Sequence, residues 1–173
     1  MMKKKCVFLD RDGVLNTDDE YYTFRKEDVF LMEGVPEALK KLKEAGYLLV
    51  VITNQAGIAQ NMYGPAEVKE VHRLIQEMSG VTLDDLYFSP HHPQHSSRSL
   101  RRKPDSLMIE KAMAKHNIDP AQSWMIGDRL SDVQAGRKAG EKTLFIGTRE
   151  TEGDLGDFQA RDLRQAADMI LCF

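Results

Sequence analysis

With 173 residues the chain has the size of one domain and can bury a sizeable core, so it needs no disulfide framework. Its 24 Lys plus Arg against 27 Asp plus Glu give a net charge of −3, which excludes a global attraction to nucleic acid or membrane and leaves room only for a local basic patch. The opening MMKKKCVFLD stops its apolar stretch after four residues, too short for a signal peptide or a membrane span, and predicts a soluble, cytoplasmic protein.

KKKCVFL (residues 3–9) reads as the first strand. GVPEALKKLKEAG (34–46) places Val35, Leu39 and Leu42 at helical spacing with Gly46 as a stop, and its KKLKE run is a solvated face. YLLVVITN (47–54) is continuously apolar and β-branched, as a strand buried on both faces of a parallel sheet requires. A helix over 65–80 opens on Pro65 and closes at Gly80, and the shorter strand LDDLYFS follows. Helix SLMIEKAMAKHNI, strand SWMIGD, helix SDVQAGRKAG, strand TLFIG and a last apolar run ADMILCF complete the chain. Strands alternating with helices predict right-handed crossovers and an α/β, doubly wound, Rossmann-like, mostly parallel sheet with helices on both faces. Cys6 and Cys172 sit in apolar, strand-like runs and read as small buried hydrophobes in a reducing compartment. Met108, Met113 and Met125 read as core gap-fillers, Trp124 as a packed strand residue, and His72 and His116 as ordinary helix residues.

Two stretches interrupt the alternation. Residues 17–33 are too long for a plain connection and predict a small flap over the strand ends. Residues 89–104, SPHHPQHSSRSLRRKP, have no period and read as a loop. The expected organisation is a single domain, 1–173, with 17–33 as the flap and 89–104 as a substrate loop.

In such sheets ligands bind beyond the carboxyl ends of the strands. There the first strand ends in Asp10 and Asp12, the second in Thr53, Asn54 and Gln55, and the fourth in Gly127 and Asp128, with Asp132 one helical turn on. The basic loop brings Arg102 and Lys103 to the same edge. Side chains alternate along a strand, so Asp10 and Asp12 can share a side, and Gly13 lets the chain turn away. Two carboxylates about 5 Å apart repel by roughly 3 kcal/mol at an effective dielectric near 20, and Asp128 adds to this. A hard divalent cation reverses the sign, and an all-oxygen site with no soft ligand points to Mg²⁺. Thr53 and Lys103 suit the oxygens of a phosphoryl group, one aspartate can attack phosphorus, and the other can protonate the leaving oxygen and later activate water. Asp132 reads as a helix-capping residue, or one that supports the site from behind the ligands, rather than a direct ligand.

These residues strongly resemble the haloacid dehalogenase superfamily of aspartate-dependent phosphatases over nearly the whole chain: LDRDGVLN, VITNQ, RRKP and IGDRLSD stand as its four motifs in order. The resemblance implies a phosphoric monoester hydrolase of that fold with a minimal cap. It implies Asp10 as nucleophile, Asp12 as general acid/base, Thr53 and Lys103 steadying the phosphoryl group, and Mg²⁺ held by Asp10, the Asp12 carbonyl and Asp128. Arg129 would sit beside the metal without ligating it.

TNQAGIA, SPHHPQ and RRKP carry a finer likeness to the small heptose-bisphosphate and histidinol-phosphate phosphatases. That likeness implies substrate contacts from Asp18, Asp19, Glu20 and Tyr21, from Thr53, Asn54, Gln55 and Ala56, and from Arg102 and Lys103. It also implies removal of the 7-phosphate of D-glycero-D-manno-heptose 1,7-bisphosphate, in heptose or lipopolysaccharide biosynthesis, with histidinol phosphate as the alternative substrate. Arg98, Arg101 and Arg102 would suit a second phosphate. The structural zinc usual on this loop is not expected, because Ser89-Pro-His91 and Ser99-Leu-Arg101 replace three of its four ligands. His91, His92 and His95 then read as a solvated or substrate-facing loop.

The chain is expected to act as a monomer on a small phosphorylated metabolite, with no nucleic-acid or membrane partner. The rival class is a non-catalytic, phosphate-sensing, receiver-like domain, but a receiver carries its phosphorylated aspartate after the third strand, where this chain has Ser89 and His91.

Overall fold

The computed structural model describes residues 2–18, 22–147 and 152–173. Six parallel strands form one sheet in the order β3-β2-β1-β4-β5-β6, where β1 is Cys6–Leu9, β2 Leu48–Asn54, β3 Asp85–Ser89, β4 Trp124–Gly127, β5 Lys142–Ile146 and β6 Phe158–Ala160. From β1 the chain builds to one side through β2 and β3, then returns to the other through β4, β5 and β6. The carboxyl end of β1 is therefore the switch point where an open α/β sheet opens a crevice.

Helices α1 (Val35–Glu44), α2 (Pro65–Ser79) and α5 (Leu163–Ile170) cover one face, packing Val35, Leu39, Leu42, Val71, Ile75 and Leu163 against Val7, Leu9, Leu49 and Val51. Helices α3 (Leu107–His116) and α4 (Leu130–Ala139) cover the other, bringing Met108, Ile109, Ala112 and Ala135 against Cys6, Phe8, Val50 and Ile52. Odd and even residues of β1 thus serve opposite cores, as the two-residue strand period demands. Each of the larger apolar side chains contributes about 1.5–3 kcal/mol on burial, which makes the central strands a rigid base for the groups at their ends. Trp124 is buried and packs its ring 5.5 Å from that of Phe158. Met108 and Met125 are buried and Met113 packs at the edge of the second core.

The C-terminal part differs from the sequence reading. ADMILCF is not strand-like: its first half belongs to α5, whose Leu163, Ala166, Ala167 and Ile170 form a helical stripe and whose N-cap Asp162 accepts from the Gln165 amide at 2.8 Å. Cys172 lies beyond the helix and is exposed, whereas Cys6 is buried as expected. Strand β6 escaped notice because FQA is three residues long at a sheet edge and carries an exposed Gln159. Before α1, the chain turns through a 3₁₀ segment, Lys26–Asp28, and returns to the sheet edge where Thr17 N donates to Phe30 O at 2.8 Å and Met32 N to Leu15 O at 3.0 Å. Among the described residues no helix is long and apolar enough to cross a membrane.

Candidate active site

Asp10 follows β1 with the parity of Cys6 and Phe8, toward the α3/α4 side. It is 6% exposed, and its Oδ1 lies 2.8 Å from Lys103 Nζ and accepts from the Arg11 amide at 2.7 Å. Burial pushes its carboxyl up to about 8; Lys103 opposes that rise, while Asp132 and Asp128 add to it. Lys103 itself is buried, and its ammonium also meets Ile52 O at 2.8 Å and Asp132 Oδ1 at 2.6 Å. Desolvation pulls Lys103 down, but Asp10 and Asp132 hold it above the ordinary lysine value, so it stays charged.

Asp132 caps α4 as expected, its Oδ2 accepting from the Arg129 amide at 3.1 Å, but it has a second role the sequence did not disclose as partner of Lys103. Asn54 holds the Lys103 backbone from both sides, donating to its carbonyl at 3.0 Å and accepting from its amide at 3.1 Å. Thr53 is buried at the end of β2, its hydroxyl accepting from Gln55 Nε2 at 2.8 Å. Ala56 is buried at the start of a 3₁₀ turn, Ala56–Ile58. Arg102 donates to His91 O at 3.0 Å, bracing the 89–104 loop, and Arg129 reaches Asp18 Oδ2 at 3.2 Å. Asp19, Glu20 and Tyr21 lie outside the described residues.

Asp12 is held by a separate set of donors. Arg11 Nε and Nη2 grip its two oxygens at 3.0 Å each, Asn16 Nδ2 donates to Oδ1 at 3.0 Å, and Gln55 Nε2 donates to Oδ2 at 2.9 Å. Gly13 makes the turn between them: its φ of +85° belongs to the left-handed region, and a Cβ there would lie 2.2 Å from Asp128 Oδ2. Sequence reasoning missed Arg11, Asn16 and Tyr63 altogether.

Ligand oxygens of Asp10, Asp128 and Asp132 lie within 4.8 Å of one another, all buried. Their oxygens converge closely enough that a divalent cation would offset their mutual repulsion, and the donor set is all oxygen. The residues fit a hard ion such as Mg²⁺. Among the described residues Asp10, Asp128 and Asp132 are the one group of three or more His, Cys, Asp or Glu side chains placed to share an ion.

A parallel doubly wound sheet with paired aspartates at its switch point, and a buried lysine and acidic cluster on the adjoining loops, defines an aspartate-centred α/β hydrolase. The chain belongs to the haloacid dehalogenase-like hydrolases, whose family model matches residues 10–146, and it is a phosphoric monoester hydrolase. The receiver-like alternative therefore falls. It is 43% identical over 153 residues to the D-glycero-beta-D-manno-heptose-1,7-bisphosphate 7-phosphatase of Haemophilus ducreyi, covering 84% of each chain. It is 38% identical to the D-glycero-alpha-D-manno-heptose-1,7-bisphosphate 7-phosphatase of Burkholderia mallei, covering 84% of this chain and 80% of the relative. Its fold matches the crystal structure of D,D-heptose 1,7-bisphosphate phosphatase from B. bronchiseptica, complexed with magnesium and phosphate, with a TM-score of 0.87 at 29% identity over 98% of each chain.

Proposed function

We propose that this single-domain chain removes the 7-phosphate of D-glycero-D-manno-heptose 1,7-bisphosphate by Mg²⁺-dependent phosphoryl transfer through Asp10. The observation that carries the chemistry is the joining of Asp10, Lys103 and Asp132 in one buried cluster at the switch point. The named relatives support the substrate.

Both donors to Asp10 share Oδ1, which leaves Oδ2 for bond formation. Oδ2 attacks phosphorus, the bond from phosphorus to the sugar oxygen breaks, and that oxygen takes a proton from Asp12. Water then attacks the aspartyl phosphate, gives its proton to Asp12, and phosphate leaves with Asp10 restored as carboxylate. Lys103 and Thr53 meet the charge on the transferring oxygens. Asp10, Asp128 and the Asp12 carbonyl would hold Mg²⁺, with Asp132 beside them; bound there, the ion neutralises charge on phosphate and carboxylates alike. Arg102 and its neighbours Arg98 and Arg101 suit the second phosphate, and Asp18, Asp19, Glu20 and Tyr21 would meet the sugar.

The test is phosphate release from both anomers of the heptose bisphosphate and from histidinol phosphate, with Mg²⁺ or with EDTA. Fast, EDTA-sensitive release from one heptose anomer is expected. Preference for histidinol phosphate would overturn the substrate, and release undiminished by EDTA would overturn the metal dependence.

A further inference from the structure

Arg11 stands between the two aspartates, yet its side chain is wholly buried. A guanidinium costs several kcal/mol to desolvate, so its partners must come from within the protein. What it touches is Asp12. Its fork spans both Asp12 oxygens, and Nη2 also donates to Thr23 O at 2.7 Å, on the segment that returns from the flap, and to Gln55 Oε1 at 3.3 Å. The backbone of the same residue donates to Asp10. One residue thus fixes both carboxylates.

Gln55 is the second support. It is 1% exposed and its carboxamide is fully used: Nε2 donates to Asp12 and Thr53, while Oε1 accepts from Arg11 and, at 2.7 Å, from the Tyr63 hydroxyl. Its amide is spent too, on Ser89 O at 2.8 Å. That leaves Gln55 little with which to bind substrate directly. Tyr63 is locked in turn. Its ring stacks on Phe24 at 4.9 Å and meets Tyr22 edge-on at 5.8 Å. It lies so close over Gly57 that a Cβ there would come within 2.2 Å of the ring. Burial raises its phenol, which keeps it a donor.

We infer that Arg11 and Gln55, the latter fixed by Tyr63, are positioning residues that hold Asp12 in the orientation from which it protonates the leaving oxygen. The chain of contacts ties the acid/base to the 22–24 segment and to the turn after β2. Its geometry depends on tertiary packing rather than on the DxD motif alone. This inference rests on the acid/base role proposed for Asp12.

A positioning role separates from a structural one through the leaving group. A good leaving group departs without a proton, whereas a sugar alkoxide needs one. kcat/KM, which reports steps through phosphoryl transfer, is measured on the Mg²⁺-loaded enzyme with heptose 1,7-bisphosphate and with para-nitrophenyl phosphate. The variants are Asp12→Asn, Arg11→Met, Arg11→Lys, Gln55→Leu and Tyr63→Phe, each checked for its melting temperature. Asp12→Asn is expected to lose about 10²–10⁴-fold on the sugar phosphate and far less on the activated ester. Arg11→Met and Gln55→Leu are expected to show the same asymmetry, with about tenfold or greater loss on the sugar phosphate and less than about threefold on the activated one. Tyr63→Phe, which removes only the hydroxyl, should show it more weakly, and Arg11→Lys should recover part of the loss. Equal losses on both substrates in the Arg11, Gln55 and Tyr63 variants, with Asp12→Asn still asymmetric, would overturn the inference. If Arg11→Met does not fold, Gln55→Leu and Tyr63→Phe decide it alone. Symmetric loss in Asp12→Asn itself would instead overturn the acid/base reading.

Discussion

Lys103 and Asp132 form an ion pair of 2.6 Å with neither side chain more than 2% exposed. They come from different connections, the loop before α3 and the first turn of α4. A pair this dry is stabilising only while every charge in it is matched, and Lys103 is matched by both Asp132 and Asp10. It serves as the bridge between the helix cap and the reacting carboxylate.

Substitution of Asp132 should separate its two tasks. Asn retains an oxygen for the Arg129 amide but loses the charge facing Lys103, whereas Ala loses both. Both variants are expected to lower kcat/KM at least about tenfold through a mispositioned ammonium. Asp132→Ala should be the less stable by about 1 kcal/mol, the usual worth of a cap. Urea unfolding and steady-state kinetics on the two proteins check this; equal stability would remove the capping role.

Gly13→Ala places a methyl group where Asp128 Oδ2 lies and puts a Cβ on a left-handed residue. The backbone alone costs about 1–2 kcal/mol. Displacement of Asp128 should also raise the Mg²⁺ concentration needed for half-maximal phosphatase activity by about tenfold or more, read from a metal titration. Unchanged metal dependence would mean that Asp128 takes no part in holding the ion.

His72 sets an acid limit on stability. Burial holds its imidazole down, the Arg11 cation adds to this and Asp85 opposes it, so that it titrates at about 4 rather than 6.5. Between those values the unfolded chain binds the extra proton, so the contribution of neutral His72 is complete above pH 6.5 and is lost as pH falls toward 4. Allowing for its partial exposure, that contribution is about 2 kcal/mol. Between pH 7 and pH 4.5 the wild-type protein should lose about that much more unfolding free energy than His72→Leu. Parallel curves for the two proteins would contradict it.

The sequence made the centre of this site legible because the relevant rules are local. Alternation puts Asp10 on a known side of β1, a glycine at 13 marks the turn, and strand ends locate Thr53 and Asp128. The surroundings were not legible for the opposite reason. Arg11, flanked by two aspartates, looks like a solvated charge, and nothing local says that it is wholly buried. Tyr63 acts on Gln55 across eight residues, and Asp132 meets Lys103 across the sheet edge, both through tertiary packing alone. At the far end, ADMILCF is apolar enough for a strand or a helix, and the helical stripe emerges only when Leu163 and Ala166 upstream are counted with it.

The most direct measurement is mass spectrometry of the enzyme acid-quenched milliseconds after mixing with Mg²⁺ and heptose 1,7-bisphosphate. Asp12→Asn is run alongside with para-nitrophenyl phosphate, whose leaving group departs without a proton, so that the intermediate forms while its hydrolysis is slowed. The account predicts a phosphoryl adduct on the peptide carrying Asp10, more abundant in Asp12→Asn and absent from Asp10→Asn. Release of phosphate at the normal rate with no adduct on that peptide in either protein would mean that water attacks phosphorus directly, and Asp10 would not be the nucleophile.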